Sequence, residues 1–288
     1  MLQIKIPGAD FSGSTLPKFR RLVAGFDAAN LDALYLCEDG AVGGAITALQ
    51  DASGNGRHLS FYAGSGTVVR TAAGVSSADV ATAFACAPGL SMARSCTVFG
   101  VVRSNRAYIA GTNQGRPVWL GRRESFPASL TLNNPPTNPG FNLITDLTGS
   151  SSVKNLIQLQ SLDPRPWGDP SSTVKQFSGP GEAAGGFDGD EYVSWALSID
   201  VTAETVAFRS GLDPSKTTYA LNHEDAVIDS IVAAGFETVF GCWRYYDTNT
   251  HGTVSLFGSY SRAMDYAELG TLIDNAKSFV SARGVTVY

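Results

Sequence analysis

Along most of this chain apolar residues alternate with polar ones at a period of two, and only near the C-terminus does the period become helical. Leu2, Ile4 and Ile6 alternate with Gln3 and Lys5, which predicts a short strand ended by Pro7 and Gly8. An apolar run over 31–37 (LDALYLC) closes on Glu38, Asp39 and Gly40. A second run, 45–49, leads into DASGNGRH, where glycine and asparagine supply the positive φ of a tight turn. Segments 59–62 and 67–71 flank a Gly-Ser-Gly turn and predict a hairpin. SCTVFGVVR at 95–103 is the strongest strand of the first half, and 107–110, 118–121 and 128–132 follow as short strands.

Residues 133–190 carry dense Pro and Gly punctuation around one predicted hairpin, 141–145 with 153–162. They read as long loops on one rim, where such folds often hold function. Strands are predicted at 192–199, 204–209, 236–243 and 253–260. Leu269, Leu272, Ile273, Ala276, Phe279 and Val280 then fall at helical spacing. Asp265 with Glu268 makes a capping box, and Gly284 is placed as the C′ residue. The pattern predicts an all-β sandwich with one C-terminal amphipathic helix packed on a sheet. Residues 31–288 form that domain. Residues 1–30, with a basic cluster at Lys18, Arg20 and Arg21, cannot make a core alone. They read either as an edge strand of the same sheet or as an assembly arm.

Only 16% of residues are charged, so turns and surface are built from Gly, Ser, Thr and Asn, as suits a β protein. A net charge of −5 without a basic stripe argues against nucleic acid as partner. No apolar stretch is long enough for a membrane helix. Cys37, Cys86, Cys96 and Cys242 show no metal-ligand spacing and read as small buried side chains. The opening MLQIKIPG is too short and polar for a signal peptide, so synthesis and folding in a cytoplasm are expected.

Several stretches in order resemble the laminin-G-like, concanavalin A-like jelly-roll family, in the versions found in bacteriophage virion proteins. LDALYLCEDGA resembles its opening strand and acidic-Gly turn. DASGNGRHLSF, CTVFGVVR, and WALSID followed by TVAFRSG are similar to successive family strands. HGTVSLFGSYSRAMDYAEL resembles the closing strand-to-helix motif. The match runs over roughly 31–283, with 110–190 weakly covered. The opening IPGADFS is similar to N-termini of phage tail or virion proteins. The resemblance implies a lectin-like module of a tail, fibre or baseplate, assembled in the host cytoplasm. Other virion proteins or further copies of the chain would be its partners, and a host-surface glycan its ligand. A capsid decoration protein, a stand-alone carbohydrate-binding module and a divergent glycoside hydrolase or lyase are the alternatives.

A glycosidase needs two carboxyl groups flanking the bond, and Asp188, Asp190 and Glu191 in FDGDEY have the wrong spacing for one strand face. No nucleophile elbow, phosphate loop or zinc motif is present. A non-enzymatic role is therefore expected, with no cofactor required. Calcium wants several oxygens. Asp51 with Asn55, or Asp188 with Asp190, are its candidates, against the plainer role of capping their own turns. Sugars stack on aromatic rings and hydrogen-bond planar polar groups. The loop carrying Trp243, Arg244, Tyr245, Tyr246, Asp247, Asn249 and His251 offers both, and Trp167 is a second aromatic candidate. The alternative sends Trp243 and Tyr245 into the core.

Overall fold

The computed structural model describes residues 25–62, 67–78, 83–90, 95–104, 117–121, 141–147, 155–161, 174–177, 192–200, 202–203, 205–211, 217–220, 236–242 and 252–288. The first half gives β1 (Leu31–Tyr35), β2 (Ala48–Leu49), β3 (Leu59–Tyr62), β4 (Thr67–Arg70), β5 (Val75–Ala78), β6 (Ala83–Leu90), β7 (Ser95–Ser104) and β8 (Pro117–Gly121). Then follow β9 (Phe141–Leu147), β10 (Asn155–Ser161), β11 (Val174–Phe177), β12 (Val193–Asp200), β13 (Thr205–Ser210), β14 (Thr217–Ala220), β15 (Phe236–Cys242) and β16 (Gly252–Tyr260). The helix α1 (Tyr266–Ser281) comes last. The strands form two antiparallel sheets, the all-β sandwich that the alternation predicts. One sheet has the order β14-β13-β12-β7-β16-β5-β4, with β1 also on β16; the other runs β11-β10-β9-β8-β15-β6-β3-β2.

Alternation divides the first sheet into two buried faces. Phe99, Val101, Ala196, Leu256 and Tyr260 cluster with Leu269, Leu272, Ile273, Ala276 and Val280 of α1. Trp195, Leu197, Val98, Phe257 and Tyr35 alternate to the other face and are almost completely buried there. This is why β7 reads as a nearly continuous apolar run, and why the polar positions inside β12 and β16 are small Ser and Thr that are buried too. Two glycines make the layers fit. A Cβ on Gly100 would meet the Trp195 ring at 3.1 Å, and one on Gly258 would meet the Phe99 ring at 2.4 Å. The aromatic rings lie across the strands at those positions. Phe26 stacks on Phe99 at 5.4 Å and meets Phe279 edge-on at 6.1 Å, and the Asn275 side chain donates to the Gly25 carbonyl at 2.7 Å. The last residues of the 1–30 segment thus belong to the core.

Two expectations need correction. Segments 59–62 and 67–71 are not a hairpin: β3 pairs β2 and β6 in one sheet, while β4 pairs β5 in the other. The Gly-Ser-Gly spacing reports a turn, but it does not say whether the strands leaving it pair or cross between layers. Gly284 is also one position further out than C′. The cap is Ala282, and Gly284 takes φ +83 while its N–H donates to the Ser281 carbonyl. The capping box stands as read. Asp265 accepts from the Glu268 N–H at 2.8 Å, and the Glu268 carboxylate accepts from the Asp265 N–H at 2.9 Å. The hairpin of β9 and β10 also forms. Strands β5, β6, β11 and β14 were not anticipated; β11 (Val174–Phe177) pairs β10 within the stretch read as loops.

Candidate functional site

The turn from Asp51 to His58 is built around one buried carboxylate. Asp51 Oδ1 accepts from the N–H groups of Leu34 (3.0 Å) and Ser53 (2.8 Å). Its Oδ2 accepts from the Ser53 hydroxyl (2.8 Å) and the Arg57 N–H (3.1 Å). Asn55 donates its amide to the carbonyls of Leu31 (2.7 Å) and Asp32 (2.9 Å). Asp51 and Asn55 therefore have the capping role, stitching the turn to β1. Arg57 Nε meets Asp32 Oδ1 at 2.9 Å beside them. Burial raises the Asp32 carboxyl above the usual carboxylate range, and the Arg57 charge opposes that rise. Among the described residues no group of three or more His, Cys, Asp or Glu side chains is placed to hold a metal ion, and no helix is long and apolar enough to cross a membrane. Cys37 and Cys96 are free and buried, and burial pushes both thiols up to about 12.

A groove of about 280 Å³ opens elsewhere, between the free end of the β12–β13 hairpin and the start of α1. Ser198, Asp200, Thr205, Ala207, Ala263, Met264, Asp265 and Tyr266 line it. Each is there for a local reason. Asp200 closes β12, and its Oδ1 accepts from the N–H groups of Thr202 and Ala203, both at 3.0 Å, as an Asp in a turn does. Thr205 opens β13 two residues later. Ser198 and Ala207 are small, so the chain leaving β16 packs close above them; the Ser198 hydroxyl accepts from the Met264 N–H at 2.9 Å. Tyr266 is the first helical residue. Its ring carries the Arg209 guanidinium 4.8 Å from its centre, and Arg209 also donates to the Tyr266 carbonyl at 3.0 Å. These two contacts fix the position of the ring.

The groove thus combines a fixed aromatic ring, an apolar floor of Ala207 and Met264, two hydroxyls and two carboxylates. Its volume lies just under the roughly 300 Å³ at which pockets for drug-sized ligands begin, which suits one small ring. The sequence pattern missed this site because its residues served structural readings first: Asp265 as cap, Tyr266 as part of the closing motif. The available signal was the run Asp265–Tyr266 in chain order after Ala263–Met264, but nothing local shows that the β12–β13 hairpin lies opposite. Trp167, Asp188, Asp190, Trp243, Arg244, Tyr245, Tyr246, Asp247, Asn249 and His251 lie outside the described residues. So do the predicted strands 107–110 and 128–132 and residues 1–24.

No family model matches the chain, and no curated protein matches it in sequence. Solved structures do. The botulinum neurotoxin serotype G binding domain is 11% identical with a TM-score of 0.51, covering 86% of this chain and 52% of that one. The serotype D/C binding domain is 9% identical with a TM-score of 0.50, at 86% and 52% coverage. A mutant Trypanosoma rangeli sialidase, 12% identical, covers 87% of this chain and 33% of that one at a TM-score of 0.48. The chain spans about half the length of the neurotoxin binding domains. The fold is that of the lectin-like β-sandwiches. At these identities the likeness concerns fold alone.

Proposed function

We propose that this chain is a non-enzymatic, lectin-like module that binds a saccharide in the groove beside Tyr266. The observation that carries the reading is the ring of Tyr266, fixed by Arg209 next to hydroxyl and carboxylate groups in a groove sized for one sugar. Sugars present apolar ring faces and many hydroxyls, and a pre-positioned aromatic beside planar acceptors meets both without an ordering cost. The lectin-like fold, shared with domains described as binding domains, is consistent with it. Both groove carboxylates accept hydrogen bonds from backbone N–H groups of their own turn or helix cap, which fixes them as acceptors beside the ring.

The finer setting in this proposal is a phage virion, as part of a tail, fibre or baseplate that meets a host-surface glycan. It rests on the IPGADFS opening and the closing strand-to-helix motif. Other virion proteins or copies of the chain would be its neighbours, and calcium at the rim is a variable to control. The test is a glycan array probed with wild type, Tyr266→Ala and Trp243→Ala, each with and without calcium. Saturable binding lost in Tyr266→Ala supports the groove. Loss only in Trp243→Ala moves the site to the 243–251 loop. No binding by wild type under either condition overturns the saccharide reading and leaves a structural virion part.

A further inference from the structure

Resting on that saccharide reading, we infer that the groove selects uncharged sugar rings and disfavours acidic ones. The argument lies in how its carboxylates are spent. All the hydrogen bonds of the Asp200 side chain go to Oδ1: from Thr202 N–H, from Ala203 N–H and, at 3.4 Å, from the Ser95 hydroxyl. Asp265 likewise uses Oδ1 for the Glu268 N–H. Among the described residues neither Oδ2 has a hydrogen-bond partner, and both aspartates line the groove. The turn and the helix cap hold these two acceptors in place at no further ordering cost. Fixed carboxylate oxygens take O–H donors well, because a hydrogen bond to a charged acceptor is stronger than a neutral one. Sugar hydroxyls supply such donors.

The same two charges repel a sugar carboxylate, sulfate or phosphate. Among the described residues no lysine or arginine lines the groove. Arg262 is turned to Glu268, 2.8 Å away, and Arg209 lies against the Tyr266 ring. The single charge of Arg209, 4.8 Å from the ring centre, offsets the two carboxylates only in part, so an acid is still repelled while the gain an amine would make is tempered. An uncharged ring with adjacent hydroxyls fits the aromatic wall, the hydroxyls of Ser198 and Thr205, and the two acceptors together.

The test is titration calorimetry on the full chain. The probes are neutral methyl glycosides of glucose, galactose, mannose and N-acetylglucosamine, with sialyllactose as the acidic probe and glucosamine as the amine. The variants are Asp200→Asn and Asp265→Asn. Asparagine caps turns and helices as aspartate does, so folding is retained, while an NH2 donor replaces the free acceptor. A neutral glycoside should bind wild type and weaken by about tenfold or more in each variant, with the melting temperature unchanged. Sialyllactose should bind wild type more weakly and gain in the variants. Tighter wild-type binding of sialyllactose or glucosamine than of every neutral glycoside would overturn the inference. Neutral binding unchanged in both variants would overturn it too, while leaving the saccharide reading with a site elsewhere. If wild type binds no saccharide, both readings fall.

Discussion

Arg283 shows how much one side chain can settle. Along one edge of β16 the partner changes from β5, at Gly252–Val254, to β1, at Phe257–Tyr260, while on the other edge the ladder to β7 is irregular between Val254 and Leu256. Ser255 lies at that split. Arg283 reaches in past the end of α1 and donates to the carbonyls of Ala73 (3.0 Å), Ser255 (2.7 Å) and Leu36 (2.6 Å), with Glu38 at 3.2 Å. The rigid guanidinium fork, with five donors, reaches three separated carbonyls and Glu38 at once, which a single ammonium point matches poorly. Arg283→Ala should therefore cost about 3 kcal/mol or more, since buried acceptors lose charged donors. Arg283→Lys should recover less than half of that. Urea unfolding of the three proteins measures both. Asp32 gives a second prediction at this scale. Its pKa is raised by burial, so the folded protein takes up this proton at higher pH than the unfolded chain does. Its contribution to stability thus grows as pH falls through the raised value towards the unfolded one, and is lost above it. Arg57→Met removes the opposing charge and should move the Asp32 titration, followed by carboxyl NMR shifts, to still higher pH. A downward move would contradict the assignment of cause.

At the scale of elements, α1 is where local sequence and tertiary packing agree. The Asp265–Glu268 box sets its start, and its apolar stripe fits the face of β7, β12, β13 and β16. Asp265→Ala should destabilise by about 1 kcal/mol by losing the cap, read as a shift in the urea midpoint. The strongest strands were legible for the same reason: β7, β12, β13, β15 and β16 are apolar runs or clean alternations bounded by turn residues. Strand β6 was not, because AFACAPGL is made of small residues and contains Pro88. It forms because the ladder to β15 is irregular between Phe236 and Thr238, the stretch that falls opposite Pro88. Strands β3 and β4 illustrate the other limit. Turn chemistry announces a reversal but not which layer receives the next strand. The groove was illegible for a related reason. Its two walls, 198–207 and 263–266, are distant in sequence, and only the pairing of β12 through β7 to β16 brings them together.

For the whole molecule the decisive fact is that the sheet under α1 is closed by the end of the chain. β16 lies in its middle, between β7 on one side and β1 with β5 on the other. Tyr288 then runs back along β12: its N–H donates to the Tyr192 carbonyl, and its own carbonyl accepts from the Ser194 N–H and hydroxyl. Residues 26–35 lean on this late arrival: the 51–55 turn stitches β1 on one side, but its ladder is to β16 and Phe26 packs against Phe279. Such non-local pairing folds slowly, in about milliseconds to seconds for β-sandwich domains. A chain stopped at residue 250 would leave β7 without one neighbour and β1 and β5 without their ladder to β16, with the α1 face of the sheet uncovered. It should lack the dispersed amide spectrum of the full chain, and not merely melt a few degrees lower. A truncated chain with native-like dispersion would show that the second sheet and β12–β14 hold the sandwich without β16, and that the central position of β16 contributes little to stability.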